Sequence, residues 1–401
     1  MFKVIVCRHW LILRAEIGCT AALFTRSVAI ENRRDNNRKR TTMKFGLFNI
    51  PYSRDYSHGH RTAKQVIDWD LTLTKWADEF GWEEAYFAEH YTLGGEPSPA
   101  PDAMIAAASQ ITSRIKLGAA AHLLAYHNPI SLAHRTMWLD HMTGGRYIAG
   151  FAPGAFPSDA QLFNTGKKNP QMMIEAMDII DAIWTKEGPF RIEGEFWTVD
   201  MPAYSDDIHG PHLKPRQDRI PVIMTGMQAT SPTLTTAGQR GYFPMSQQVH
   251  QSVLTAHWAT YAEAASAAGF EPDRANWRIC RDVLVADTDE EARDAYLNGA
   301  MGDLWANYNV PTFIKLGIGD LISGGTIPKE EIGAAWMVDN FHIVGSPQTV
   351  AEKIEALYDE VGGFGTLVSF GHDYANDPEV YRRSFELIGT KVAQLVSHLS
   401  A

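Results

Sequence analysis

Cysteine is nearly absent from this chain: Cys7, Cys19 and Cys280 are its only three in 401 residues. Two of them precede residue 43, so the remainder holds one thiol, which can form neither an internal disulfide nor a multi-cysteine zinc site. A reducing, cytoplasmic setting suits such a chain. Long apolar runs are missing as well. No stretch of about 18 uninterrupted apolar residues occurs, which removes a membrane-spanning helix from consideration. Basic charge is in deficit, with 36 Lys and Arg against 47 Asp and Glu and a net charge of −11. That is the wrong sign for a nucleic-acid partner gripped through its phosphates. What is present, 45% hydrophobic and 21% charged residues, is enough to bury a sizeable globular core.

The one basic region is the beginning. Residues 1–42 carry nine Lys and Arg against three acids, and "ENRRDNNRKRTT" (31–42) is too polar to pack. An Arg-rich, acid-poor leader fits an organellar transit peptide. A secretory signal fits poorly, because Arg14 and Glu16 break its apolar stretch. The simplest reading is a start assigned too far upstream, with Met43 the true first residue. The fold is expected to occupy 43–401.

From Met43 onward, short β-type runs alternate with segments of helical period. The runs are 44–50, 84–90, 115–124, 146–154, 220–226, 242–248, 276–287 and 364–371. Strict alternation demands parallel strands joined by right-handed crossovers, and eight such units predict a (β/α)8 TIM barrel, an α/β fold with insertions. Ser231-Pro232 and Ser346-Pro347 read as helix starts; Gly81, Gly269 and Gly362 read as helix ends. Two excursions exceed the minimal barrel. Residues 187–219 contain a hairpin pattern, "GPFRIEGEFWTVD". Residues 300–341 read as a lid over the site, or else as a structural patch or subunit contact.

In such a barrel the chemistry sits at the carboxyl ends of the strands. The second run is informative: the apolar "AYFA" ends abruptly in Glu89 and His90. A neutral-range imidazole can hold or donate a proton, whereas Glu89, one residue earlier, points the opposite way and reads as an ion-pair or structural group. "TGMQATSP" (225–232) runs from a strand end into a helix start, where the amides near Met227 and Gln228 and the hydroxyls of Thr230 and Ser231 suit a phosphate. Gly226 is expected to let backbone approach the ligand. "SHGH" (57–60) tempts a metal-hydrolase reading, but the later strand ends lack the His, Lys and Asp ligands this needs, so no metal is expected.

These segments resemble the bacterial luciferase-like flavin-dependent monooxygenases over nearly all of 43–401. The likeness is carried by "AEHY", "IKLGAAAHLLAYHNP", "LDHMTGGRYIAGFAPGAFPSDAQLFNTG" and "FHIVGSPQTVAEKIEAL", and within the family it is nearest the limonene and diketocamphane monooxygenase type. The resemblance implies a two-component system in which a separate flavin reductase supplies FMNH2, which meets O2 to give a C4a-(hydro)peroxyflavin that oxidises a small cyclic substrate. It implies catalysis at His90 and cofactor contacts at Ala120, Asn128, Gly154, Gly226, Met227, Gln228, Thr230 and Ser231. Candidate substrate contacts are Phe48, Tyr52, Phe151, Arg281 and His372. For Asn128 a turn role before Pro129, and for Arg281 a structural ion pair, remain equal alternatives. The family also implies a non-prolyl cis peptide at Ala120-Ala121 and a homodimer. Luciferase's reactive cysteine and neighbouring arginine are replaced by Ala152 and Pro153, so light emission is not implied. Two other readings stay open: an F420-dependent oxidoreductase and a non-catalytic flavin-binding protein on the same barrel.

Overall fold

Each of the eight β-type runs forms a strand in the computed structural model, which describes residues 42–204 and 212–399; of the leader expected at 1–42, all but Thr42 lies outside those residues. The strands are β1 (Lys44–Tyr52), β2 (Glu84–Phe87), β3 (Lys116–Ala119), β4 (His122–Leu123), β5 (Tyr147–Ala152), β6 (Phe190–Glu193), β7 (Thr198–Met201), β8 (Val222–Gly226), β9 (Phe243–Ser246), β10 (Arg278–Cys280), β11 (Val283–Val285), β12 (Ile343–Gly345) and β13 (Thr366–His372). Eight of these pair in parallel in the order β3-β2-β1-β13-β10-β9-β8-β5, and β5 returns to β3. The sheet is closed, with helices between the strands: the TIM barrel expected from the alternation.

Strand alternation sorts the side chains into two cores. Phe48, Tyr86, Ile148, Ile223, Met245 and Val368 fill the barrel, while their sequence neighbours pack outward against the helices. The barrel is tight at β5. A Cβ on Gly150 would lie 1.9 Å from the Ala119 carbonyl oxygen, so glycine is what lets β5 close against β3. The helix ends expected at Gly81, Gly269 and Gly362 all adopt left-handed φ (91°, 84° and 78°), and Ser346 accepts the Thr349 amide at the start of Pro347–Val361.

Two runs differ from the expectation. The seventh is not one strand. It breaks at Arg281-Asp282, where the Asp282 amide turns to the Gln248 side chain (3.2 Å). β11 then leaves the barrel and pairs with β12 instead, because a buried charged pair interrupts the apolar alternation. The third run breaks into β3 and β4 at the cis peptide Ala120-Ala121, where the resemblance implied one. Of the excursions, 187–219 contains the antiparallel hairpin β6–β7. Residues 300–341 form short helical pieces, including a π-helical turn at Trp305–Asn309. Among the described residues no helix is long and apolar enough to cross a membrane.

Candidate active site

β2 positions the first pair of candidate groups. Glu84, Tyr86 and Ala88 face inward, so the next inward position is His90, and Glu89 faces out. The loop after it folds back over the strand end: the His90 amide donates to the Ser98 carbonyl (2.9 Å), the Ser98 hydroxyl to the Ala88 carbonyl (2.7 Å), and the Ser53 amide to the Gly95 carbonyl (3.1 Å). This brings Glu96 to His90, with Nε2 and Oε2 3.4 Å apart. The ring edge also meets Phe156 at 5.3 Å between centroids, while Nδ1 is buried without a hydrogen-bond partner among the described residues. Burial lowers the imidazole to about 4, against the pull of Asp159 and Glu89. It raises the Glu96 carboxyl to about 8, against the hydrogen bond from Tyr308. At neutral pH both groups are uncharged, the imidazole with one ring N–H and the carboxyl with its O–H.

Glu89 has a separate environment outside the barrel. Its carboxylate faces His127 Nε2 at 2.8 and 3.0 Å and accepts the Leu123 amide at 3.1 Å and the Tyr91 hydroxyl. His122 Nδ1 lies 3.7 Å away. Burial alone would raise this carboxyl, but His122 and His127 pull it down to about 2. Glu89, His122 and His127 could converge on a metal ion. Their bonding argues otherwise. His127 Nδ1 faces the Arg135 guanidinium at 3.2 Å and His122 Nε2 faces the Tyr147 hydroxyl at 3.2 Å. A satisfied hydrogen-bond cluster beside a cation is a strand-locking device, consistent with the supporting role read for Glu89.

On the opposite rim, Tyr52 packs on His372 and Phe370 and meets Tyr308 edge-on (6.5, 6.3 and 6.2 Å). His372 Nε2 lies 3.0 Å from Asp282, which also accepts the Trp305 indole N–H at 2.6 Å. Burial would raise Asp282, but His372, His342 and Trp305 hold it at about 2. Trp305 and Tyr308 both come from the π turn, a local widening common at functional sites. The 300–341 segment therefore touches the barrel at two strand ends, Asp282 and Glu96.

The remaining candidates divide. Phe48 lies inside the barrel against Phe370 (5.1 Å), and Ala120 belongs to the same inner core. Gly154 has φ 89°, and a Cβ there would meet the Tyr126 hydroxyl at 2.6 Å. Thr230 and Gln228 are exposed, and the Gln228 carbonyl faces His257 Nε2 at 2.6 Å. Ser231 spends its hydroxyl on Thr233 (2.8 Å). Among the described residues, none takes a hydrogen bond from the amides of 227–230, which precede helix Pro232–Arg240.

Three expectations are corrected, and Asn128 takes the turn role read as its alternative. Phe151 faces outward, against Trp184 and Tyr242. Arg281 also turns outward; its guanidinium stacks 3.7 Å from the Phe341 ring centre, donates to the Val249 carbonyl, and falls to about 9 through burial. Asn128 is exposed, and its Oδ1 caps helix Pro129–Met142 by accepting the Ile130 and Ser131 amides. Gly226 serves packing, since a Cβ would strike Leu234 at 2.5 Å. Parity alone would have placed Phe151 and Arg281 correctly. Glu96, Asp282, Trp305 and Tyr308 were missed as site residues, because only the closed barrel brings distant segments onto one rim.

The profile of the luciferase-like monooxygenases matches residues 43–363. The chain belongs to that family. It is 34% identical over 361 residues to 2,5-diketocamphane 1,2-monooxygenase 1 of Pseudomonas putida, covering 87% of this chain and 98% of that one. It is 30% identical over 355 residues to limonene 1,2-monooxygenase of Rhodococcus erythropolis, covering 87% and 85%. Among solved structures it is similar to the oxygenating constituent of 3,6-diketocamphane monooxygenase from the same Pseudomonas species. That protein is described as a type II Baeyer-Villiger monooxygenase in complex with FMN, and the likeness has a TM-score of 0.83 at 34% identity over 88% of this chain and 98% of that one. The monooxygenase class read from the sequence is the class of the family, and the relatives are of the subgroup it named.

Proposed function

We propose that this protein is the oxygenase component of a two-component monooxygenase that takes FMNH2 from a separate flavin reductase and adds one oxygen of O2 to a small cyclic organic substrate. A ring ketone is the favoured class, ahead of an unsaturated terpenoid ring or an N-heteroaromatic. The observation that carries the reading is the match, along nearly the whole length of both chains, to an FMN-bound Baeyer-Villiger oxygenase.

The residues fit the cofactor on two counts. The amides of 227–230, unpartnered among the described residues, precede a helix N-terminus and suit the FMN phosphate, with Met227, Gln228 and Thr230 around it. Ala120 presents only a methyl group where a flat ring could lie, and the buried Nδ1 of His90, unpartnered among the described residues, suits a polar group of that ring or of the substrate. Reduced FMN, when bound, supplies the electrons that activate O2. The chain supplies the surroundings. Phe48, Tyr52 and Phe370 make an apolar wall for a ring substrate. Trp305 and Tyr308 cover the rim and limit water. His90, uncharged at neutral pH, holds a proton on one ring nitrogen without introducing charge.

The test supplies FMNH2 enzymatically, screens cyclic ketones, terpenes and heteroaromatics, and follows labelled oxygen. Label in a product supports the reading. Turnover of F420 without oxygen uptake would replace it with the deazaflavin alternative, and tight FMN binding with no product from any substrate would leave a flavin-binding protein.

The same proposal includes a cytoplasmic homodimer. Helix Pro129–Met142 exposes Trp138 (60%) and Met142 (39%) beside Ala103, Ala106 and Leu213, around a groove of about 460 Å³. An aromatic so exposed on a patch of this kind marks a contact surface. Trp138→Glu is expected to halve the mass measured by light scattering while leaving the circular dichroism spectrum unchanged; a mass equal to that of the unaltered protein would place the contact elsewhere.

A further inference from the structure

The His90–Glu96–Tyr308 contact goes beyond the proposed reaction and rests on that reading for its role in turnover. Three segments far apart in sequence meet there: the end of β2, the loop 93–99 and the π turn of the 300–341 segment. Glu96 is 5% exposed. One of its oxygens accepts the Tyr308 hydroxyl at 3.1 Å, and the other lies 3.4 Å from His90 Nε2. No Lys or Arg contacts it among the described residues. The charged and titratable groups around the pair are Asp159 from helix Pro157–Leu162, Glu89 on the far side of β2, and the Tyr52 and Tyr308 hydroxyls. Asp159 accepts the Thr92 amide (3.0 Å) and hydroxyl on Oδ1, while its Oδ2 is buried without a hydrogen-bond partner among the described residues.

A buried carboxyl without a cation is stable only when neutral. A neutral carboxyl facing Nε2 has a proton to give to that nitrogen's lone pair, and a neutral imidazole whose Nε2 accepts must carry its hydrogen on Nδ1. An ionised Glu96 would reverse this: Nε2 would carry the hydrogen, and Nδ1 would show a lone pair. The state of one carboxyl thus decides whether His90 presents a donor or an acceptor on its unpartnered side.

We propose that Glu96 is a positioning residue for His90: its protonated carboxyl, held by Tyr308, selects the Nδ1–H tautomer and so makes His90 a hydrogen-bond donor toward the flavin and substrate. Tyr308 belongs to the 300–341 segment, so the environment of the carboxyl is built jointly by that segment and the loop after β2.

The experiment uses the full chain with no flavin and reads the ring nitrogens of His90 by nitrogen-15 NMR, the signal being assigned by its loss in His90→Asn. In the unaltered protein the Nδ1–H tautomer is expected at neutral pH, giving way to Nε2–H as Glu96 ionises near pH 8. Glu96→Gln, whose amide N–H₂ still donates to Nε2, is expected to keep Nδ1–H with no step. Tyr308→Phe, which removes the hydrogen bond favouring the carboxylate, is expected to move the step to higher pH and serves as the second variant should Glu96→Gln fold poorly. A tautomer that stays Nε2–H throughout, or a step that survives Glu96→Gln unchanged, would overturn the proposal.

The second readout is coupled oxygenation. The kcat of the unaltered protein is expected to fall about tenfold between pH 7 and pH 9, following loss of the carboxyl proton, and that of Glu96→Gln to stay level over the same range. The tautomer result with no oxygenated product from any substrate would fail the proposed function and leave the His90–Glu96 assignment standing. Oxygenation with an identical pH profile in both proteins would do the reverse.

Discussion

Alanine in place of His90 is expected to lower coupled oxygenation at least a hundredfold, the scale of one positioned proton-transfer group, with little change in FMN affinity. The asymmetry follows from the site. His90 provides a single ring nitrogen, buried and unpartnered, whereas the groups suited to the phosphate are backbone amides at 227–230 that no change at His90 removes. The measurement is labelled oxygen recovered in product per FMNH2 consumed, with hydrogen peroxide followed in parallel. Reduced FMN should still be consumed by the variant, and its oxygen should appear as peroxide. A variant that oxygenates at the normal rate would take His90 out of the reaction.

Glu84→Ala is expected to destabilise the fold by about 3–5 kcal/mol, the cost of leaving a buried charge without its partner. Glu84 opens β2 and Arg278 opens β10, so both lie at the amino-terminal end of the barrel, away from the reaction. Arg278 Nη2 donates to Glu84 Oε1 at 2.7 Å and Nε to Oε2 at 3.0 Å, while the Tyr86 hydroxyl donates to Oε2 at 2.6 Å. Both charged side chains are almost wholly buried. Burial works against the charge on each, yet their attraction still leaves Glu84 more acidic and Arg278 more basic than usual. Denaturant unfolding gives the check, and the double change Glu84→Ala with Arg278→Met, which removes both charges, should restore much of the loss. A Glu84→Ala midpoint within error of the unaltered protein would show that Arg278 finds solvent or another partner.

The architecture was legible because it rests on local signals. Hydrophobic runs alternating with helical periods, with serines and glycines at the helix ends, needed no knowledge of distant contacts, and all eight barrel strands lie where those runs predicted. Strand parity was equally local, and it explains the misses at Phe151 and Arg281: both stand one residue out of phase with the inward positions of their own strands, Ile148 and Gly150 on β5, Arg278 and Cys280 on β10. The break in the seventh run was harder to read, because its cause is the burial of Asp282 under Trp305, some twenty residues further along the chain.

His90 could be picked out from sequence because an apolar strand ended in it at a barrel rim. Its partner could not. "GGEPSP" reads as an ordinary polar turn, and nothing in that stretch marks Glu96 as a buried acid. That follows only when the Ser98–His90 backbone bond folds the loop inward and Tyr308 arrives from a segment more than two hundred residues away. The sequence by itself determined the barrel, the family and the residue at the strand end, since periodicity and local caps act within a few residues. Tertiary structure alone decided the ionisation of Glu96, and with it the side of His90 that carries the proton, because a carboxyl's charge depends on who shares its burial rather than on its neighbours along the chain.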